Sequence, residues 1–294
     1  MARLICFLLL TVGCTAQAQN LRNIIPIEFA RARPATKGQA APPRRAVYRR
    51  TSAQALTTAK PDELSQLGLT IWRLRPARPA DTGARMIVQK AAESVEYIPE
   101  RMPANAPLRI GENIRFSFES PQTGYLYVID RELYADGSMS APMLIFPTTR
   151  TRGGDNKVEA GKLIEIPAQE DRPNFYTLQA TRLTTVAQTG EVLTVIVAPQ
   201  PLDGLTIGAD ALALTHEQVK QWEQQWSAQS ETLDLTGGAG QAWTKAEQEA
   251  GARGMRYLTQ ADPEPQTIYR VAAKPGTPLL VKVGLRYSRG ARKK

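Results

Sequence analysis

Apolar and polar residues alternate with a period of two over much of the chain between Leu67 and Val197. In "NIRFSFE" (113–119), Ile114, Phe116 and Phe118 fall on one face and Asn113, Arg115, Ser117 and Glu119 on the other, the pattern of a strand with one buried side. "GYLYVID" (124–130), "MLIF" (143–146) and "VLTVIVA" (192–198) are apolar on both faces, which predicts interior strands covered above and below. "LTIWRL" (69–74), "KLIEIP" (162–167) and "FYTLQ" (175–179) add shorter strands. The breaks hold turn-forming residues, in "SPQTG", "ADGS", "RGGDN", "EAG" and "RPN". Many short strands spaced by turns, without intervening helices, predict a mainly β fold, an antiparallel Ig-like β-sandwich over residues 65–200.

The period changes after Pro201. "LTHEQVKQWEQQW" (214–226) places Thr215 at a helix N-cap with Gln218 three residues on, Leu214 and Val219 in staple positions, and Val219, Trp222 and Trp226 on one helical face. "QAWTKAEQEAG" (241–251) predicts a second short helix with Trp243, Ala246 and Ala250 inward and Gly251 at its stop. "TIYRVAA", the turn "KPGT" with Pro275 and Gly276 in type II order, and "PLLVKVGLRY" predict a closing β-hairpin. Because an isolated hairpin is marginal in water, residues 201–294 are expected to pack on the sandwich as an extension within one globular unit.

The ends of the chain change the picture of its location. Arg3, the apolar run Leu4–Val12 and the small residues Ala16 and Ala18 fit a signal peptide over residues 1–18, cut after Ala18. The apolar run is nine residues, short of the ~20 that span a bilayer as a helix. A lipoprotein anchored through Cys14 of "TVGC" is the alternative, although Thr11 stands where leucine is normal in that signal. The reading is therefore export to the periplasm or beyond, without a transmembrane segment. Both cysteines, Cys6 and Cys14, lie in the leader, so the processed chain offers no thiol nucleophile, thiolate metal site or disulfide.

The net charge of +9 is unevenly placed. Residues 19–60 hold nine basic side chains against Glu28 alone, and residues 61–294 carry 27 basic and 27 acidic groups. Residues 19–64, rich in Pro, Ala and Arg, are expected to be a disordered linker, since they lack the apolar side chains to offset chain entropy. The partners this implies are an envelope protein or an anionic envelope polymer, with no specific nucleic acid; the oligomeric state is left open.

Candidate chemistry is sparse. His216, the single histidine, falls in the first turn of a helix, and no Gly-x-Ser-x-Gly elbow accompanies it. "LDLTGGAGQAWTKAE" (233–247) has the order of a phosphate loop, but Lys245 lies beyond Trp243 and Thr244 rather than beside the glycines. Asp130, Glu132 and Asp136 could hold calcium or supply a glycosidase pair, yet Asp136-Gly137 reads as a turn and Asp130 as the end of a strand reaching water. No catalytic, cofactor-binding or metal-binding residue is assigned, and no cofactor is called for. The functional expectation is an exported, non-enzymatic binding or assembly module of the bacterial cell envelope. The alternative is a carboxylate-dependent hydrolase of envelope glycan, drawing on Asp130, Glu132, Asp136, Glu170 or Asp171.

The ordered series Gly111-Glu112, "GYLYV" (124–128), Asp136-Gly137, Phe146-Pro147, Ala160-Gly161 and Ile166-Pro167 resembles the bacterial family catalogued as domain of unknown function 4384, over about residues 107–198. That resemblance implies an exported, mostly β module, which in some bacterial proteins accompanies caspase-like or kinase domains. It brings no catalytic residues.

Overall fold

The structure, a computed structural model of the chain, describes residues 33, 46–53, 55–56, 64–90, 93–120, 122–180, 185–252, 256–274 and 276–288. The expected signal peptide lies outside the described residues, as does most of the expected linker. The strands in chain order are β1 (Tyr48–Arg50), β2 (Ser65–Pro76), β3 (Met86–Lys90), β4 (Glu93–Met102), β5 (Pro107–Leu108), β6 (Asn113–Glu119), β7 (Gly124–Tyr134) and β8 (Met143–Phe146). They continue with β9 (Lys157–Val158), β10 (Leu163–Ile166), β11 (Tyr176–Thr177), β12 (Gln188–Ala198), β13 (Leu212–Ala213), β14 (Ser230–Leu235), β15 (Thr267–Val271) and β16 (Leu279–Tyr287). The two α-helices among the described residues are α1 (His216–Trp226) and α2 (Lys245–Gly251), and neither is long and apolar enough to cross a membrane.

Two sheets face each other in a sandwich that does not close into a barrel. The nine-stranded sheet runs β1-β14-β15-β2-β4-β3, with β6 on the other edge of β2 and β10 and β11 beyond it. The seven-stranded sheet runs β13-β8-β7-β12-β16-β5, with β9 beside β7. All pairings are antiparallel except β16 with β5. Alternation decides the core: Leu69, Ile71, Ile114, Phe116 and Phe118 meet Leu126, Val128, Val195, Val281 and Val283 between the sheets. The three strands that read as apolar on both faces, β7, β8 and β12, are neighbours, and α1 with the residues leading into it covers their outer side, Val219 and Leu214 packing with Ile129, Leu144 and Ile196.

Three expectations need correction. The C-terminal strands do not form a hairpin: β15 lies between β14 and β2, whereas β16 lies between β12 and β5 in the other sheet. The turn itself is as read, with Gly276 at φ +82° and Thr277 N–H donating to the Lys274 carbonyl at 3.1 Å, Pro275 falling outside the described residues. It turns the chain from one layer to the other because each sheet offers an unfilled edge, at β2 and at β12. Next, the linker expected over 19–64 contains structure, for β1 pairs with β14 and Tyr48 is fully buried, donating to the Pro265 carbonyl at 2.6 Å.

The polar face of β6 is also interior, since Asn113, Arg115, Ser117 and Glu119 are all buried. Trp243, α2 and residues 262–265 cover its Arg115–Glu119 part, and its charges are paired: Arg115 with Glu165 of β10 at 2.7 Å, and Glu119 with Arg33 at 2.6 Å. Arg101 of β4 completes the layer by pairing with Glu247 of α2. The Arg115 and Arg101 guanidinium groups lie 5.3 and 5.4 Å from the ring centres of Trp243 and Trp72. Helix α2 starts at a full capping box between Thr244 and Glu247, so Glu247 both caps the helix and neutralises Arg101.

Candidate functional site

Strand β7 does not end where its first acidic residue enters. It runs through Asp130 to Tyr134, and period two carries Asp130, Glu132 and Tyr134 onto the same inner face as Leu126 and Val128. On β12 the same face holds Val195, Leu193 and Glu191, and on β16 it holds Leu285 and Tyr287. The register sets Glu191 opposite Glu132 and Leu193 opposite Asp130. Three carboxylates and two tyrosines thus meet at one end of the interior, replacing the expected solvated strand end.

The tyrosines moderate the like charges. Tyr134 donates its hydroxyl to Glu132 Oε2 at 2.5 Å, and Tyr287 donates to Glu191 Oε1. Asp130 has no such relief at Oδ1, which is closed off from solvent without a hydrogen-bond partner. Burial, followed by the charges of Glu191 and Glu132, pushes the Asp130 pKa up to about 8. Burial also raises the Glu191 carboxyl, with Glu132 adding to the shift and the Tyr287 hydroxyl opposing it. A carboxylic acid that keeps its proton at neutral pH can donate a hydrogen bond or act as a general acid.

The sign of the pH effect follows. The folded state holds the Asp130 proton up to about pH 8, while the unfolded chain releases it near the ordinary value of 3.8. The folded state therefore binds more protons in that window, and its stability falls as pH rises. Relative to Asp130→Asn, wild-type stability is expected to decline by at most about 1.4 kcal/mol per pH unit between about pH 4 and 8. Urea unfolding of both proteins at pH 5 and pH 8 measures this, and parallel pH dependences would refute the buried proton.

The other acidic candidates are dispersed. Asp136 is an exposed turn residue accepting from Ser138 N–H at 2.9 Å, as the turn reading required, and Gly137 follows at φ +84°, a conformation that favours glycine. Asp171 is buried and accepts backbone N–H groups of Arg152 and Ala168, which ties two loops together. Glu170 is exposed, apart from the cluster. Sequence reasoning missed Glu191; its signal was the acidic residue of "GEVL", but only long-range register places it opposite Glu132.

His216 is exposed at the start of α1, where the Thr215 hydroxyl accepts from Gln218 N–H at 3.1 Å. The glycine-rich 237–240 segment does not present a phosphate cradle: Gly240 and Trp243 donate their N–H groups to the Arg101 and Pro99 carbonyls along β4, and Lys245 points to Glu249. The tryptophans divide. Trp243 is core, tilted against Trp72 at 6.2 Å between ring centres. Trp222 and Trp226 are half-buried and stacked on α1, 6.1 Å apart with an 8° angle between their planes. Between them in sequence, Glu223 approaches Lys282 at 3.0 Å and Arg131 at 3.8 Å, tying α1 to β16 and β7.

Comparison with curated proteins and with solved structures returns no match. Among protein-family models, Domain of unknown function (DUF4384) matches residues 107–199, which span β5 to β12. The matched stretch supplies strands to both sheets but takes their neighbours from outside itself, β2 for β6 and β16 for β12. Its Phe146-Pro147 and Ile166-Pro167 motifs are cis peptides, and Gly161 of Ala160-Gly161 sits at φ +78°. The DUF4384 model thus matches residues 107–199, a stretch whose strands are completed into two sheets by the chain on either side of it.

Proposed function

We propose that the protein is an exported, non-enzymatic binding or assembly module of the bacterial cell envelope. The observation carrying this reading is the stacked Trp222–Trp226 pair, half-exposed on a helix anchored to the outside of the seven-stranded sheet. Rigid aromatic surface held by a scaffold is costly to leave partly wet and gives much affinity when covered. The partner it fits is an envelope protein or polymer with an apolar or sugar-ring face. Crosslinking of the processed chain in its own envelope is expected to give one stoichiometric partner, lost in W222A/W226A while circular dichroism is unchanged. Capture that is indifferent to both substitutions would remove the reading.

The second reading, a hydrolase of envelope glycan, draws on the convergence of Asp130, Glu132 and Glu191 with one carboxyl held protonated. Against it, tyrosine hydroxyls engage Glu132 and Glu191. Release of soluble glycan fragments by the wild type, abolished in D130N and in E191Q, would favour it over the first.

A further inference from the structure

Of the first 45 residues Arg33 alone is described, and it is 2 % exposed. Its guanidinium forms a fork with Glu119: Nε donates to Oε1 at 2.8 Å and one terminal nitrogen to Oε2 at 2.6 Å. That nitrogen also donates to the Pro263 carbonyl at 3.1 Å, and the other donates to the Asp262 carbonyl at 2.7 Å. Planar bidentate pairing plus two carbonyls is recognition of guanidinium shape, which an ammonium could not reproduce.

The socket is built without help from Arg33. Asp262 is fixed by Arg256 at 2.6 Å and by the Thr259 N–H and hydroxyl, which aims the 262 and 263 carbonyls inward. Tyr48 holds the Pro265 carbonyl and Thr70 accepts from Gln266 N–H at 3.0 Å, setting the next residues against β2. Glu119 comes from the end of β6, beside Trp72 and Ser117, whose indole and hydroxyl bond each other at 2.7 Å. Among the neighbouring charges, Arg101 is matched by Glu247 and Arg256 by Asp262. Removing Arg33 therefore leaves Glu119 buried without its cation, in a cleft already shaped to take one.

We propose that this socket is a binding site for an arginine side chain of a basic peptide segment, filled by Arg33 of its own chain and open to the same segment of a second copy when Arg33 is withdrawn. Covalent connection gives the internal arginine an effective concentration of roughly millimolar, so a free competitor is masked in the wild type. The proposal stands on the Arg33 contacts and is independent of the tryptophan face.

The test uses full-length processed R33A and a synthetic peptide of residues 28–38, "EFARARPATKG". Calorimetry is expected to show one peptide bound per R33A chain, at least tenfold weaker binding to wild type, and at least tenfold loss when the peptide carries R33K or the protein also carries E119Q. If R33A does not fold alone, the peptide added during refolding is expected to restore its native circular dichroism, and R33A/E119Q to fold without it. Equal binding to R33A and R33A/E119Q, equal binding of the R33K peptide, or no binding and no rescue would each overturn the proposal.

Discussion

A chain ending at Gln200 is expected not to fold, although it retains the whole family match and most of the strands. Residues 201–294 supply β14, β15 and β16, and with them Tyr269, Val271, Leu279, Val281, Val283 and Leu285 of the central core. Burying an apolar side chain of this size is worth about 1.5–3 kcal/mol. Six such losses come to roughly 9–18 kcal/mol, the same size as the 5–15 kcal/mol that holds a typical domain together. The loss also bares an edge of β2 and one of β12, inviting aggregation. Far-ultraviolet circular dichroism and urea unfolding of residues 19–200 provide the check. A cooperative transition there would mean that the C-terminal strands are ornaments.

The second large effect is expected at the fully buried Arg115–Glu165 pair, where both side chains are closed to solvent. Arg115 also donates to the Pro167 carbonyl at 2.9 Å, and Glu165 accepts from Gln169 at 2.9 Å. The Glu165 carboxyl sits so close to Gly251 that a Cβ there would lie 2.1 Å from Glu165 Cδ, so α2 rests directly on the pair. Arg115→Ala leaves a carboxylate buried without its cation and is expected to destabilise by about 3–5 kcal/mol. Replacing both members by apolar residues of similar volume, R115M/E165L, is expected to recover most of that, since the pair's own net contribution is small. Urea unfolding decides it: a cost below about 1 kcal/mol for R115A would place this face in water after all.

These residues also mark how far the sequence could be read. Alternation in "NIRFSFE" located the strand and its inward face, but polarity alone does not distinguish a wet face from one whose charges are paired. The partners of Arg115 and Glu119 arrive from β10 and from Arg33, far off in sequence, and no local pattern points to them. Turn chemistry behaved similarly. Gly276 was placed correctly, but a tight turn does not say whether the strands it joins share a sheet. The Met86–Lys90 and Glu93–Met102 hairpin carries no such alternation in sequence, since Met86, Ile87 and Val88 are apolar in succession, and only the structure buries Met86 and Val88 around exposed Ile87. At the acidic end, Asp130 read as a strand terminus because a charge after "GYLYVI" is usually solvated, whereas Glu132 and Tyr134 continue the inner face and only pairing with β12 adds Glu191.

The central claim is that the segments flanking the family match are integral to both sheets and close over a buried polar layer. Native-state hydrogen exchange of residues 19–294 tests it most directly. Amides of β6, β12, β15 and β16 are expected to exchange only through global unfolding, with the same free energy and the same urea dependence. Exchange of β15 and β16 at markedly lower free energy than β7 and β12, or rapid exchange along β6, would contradict it.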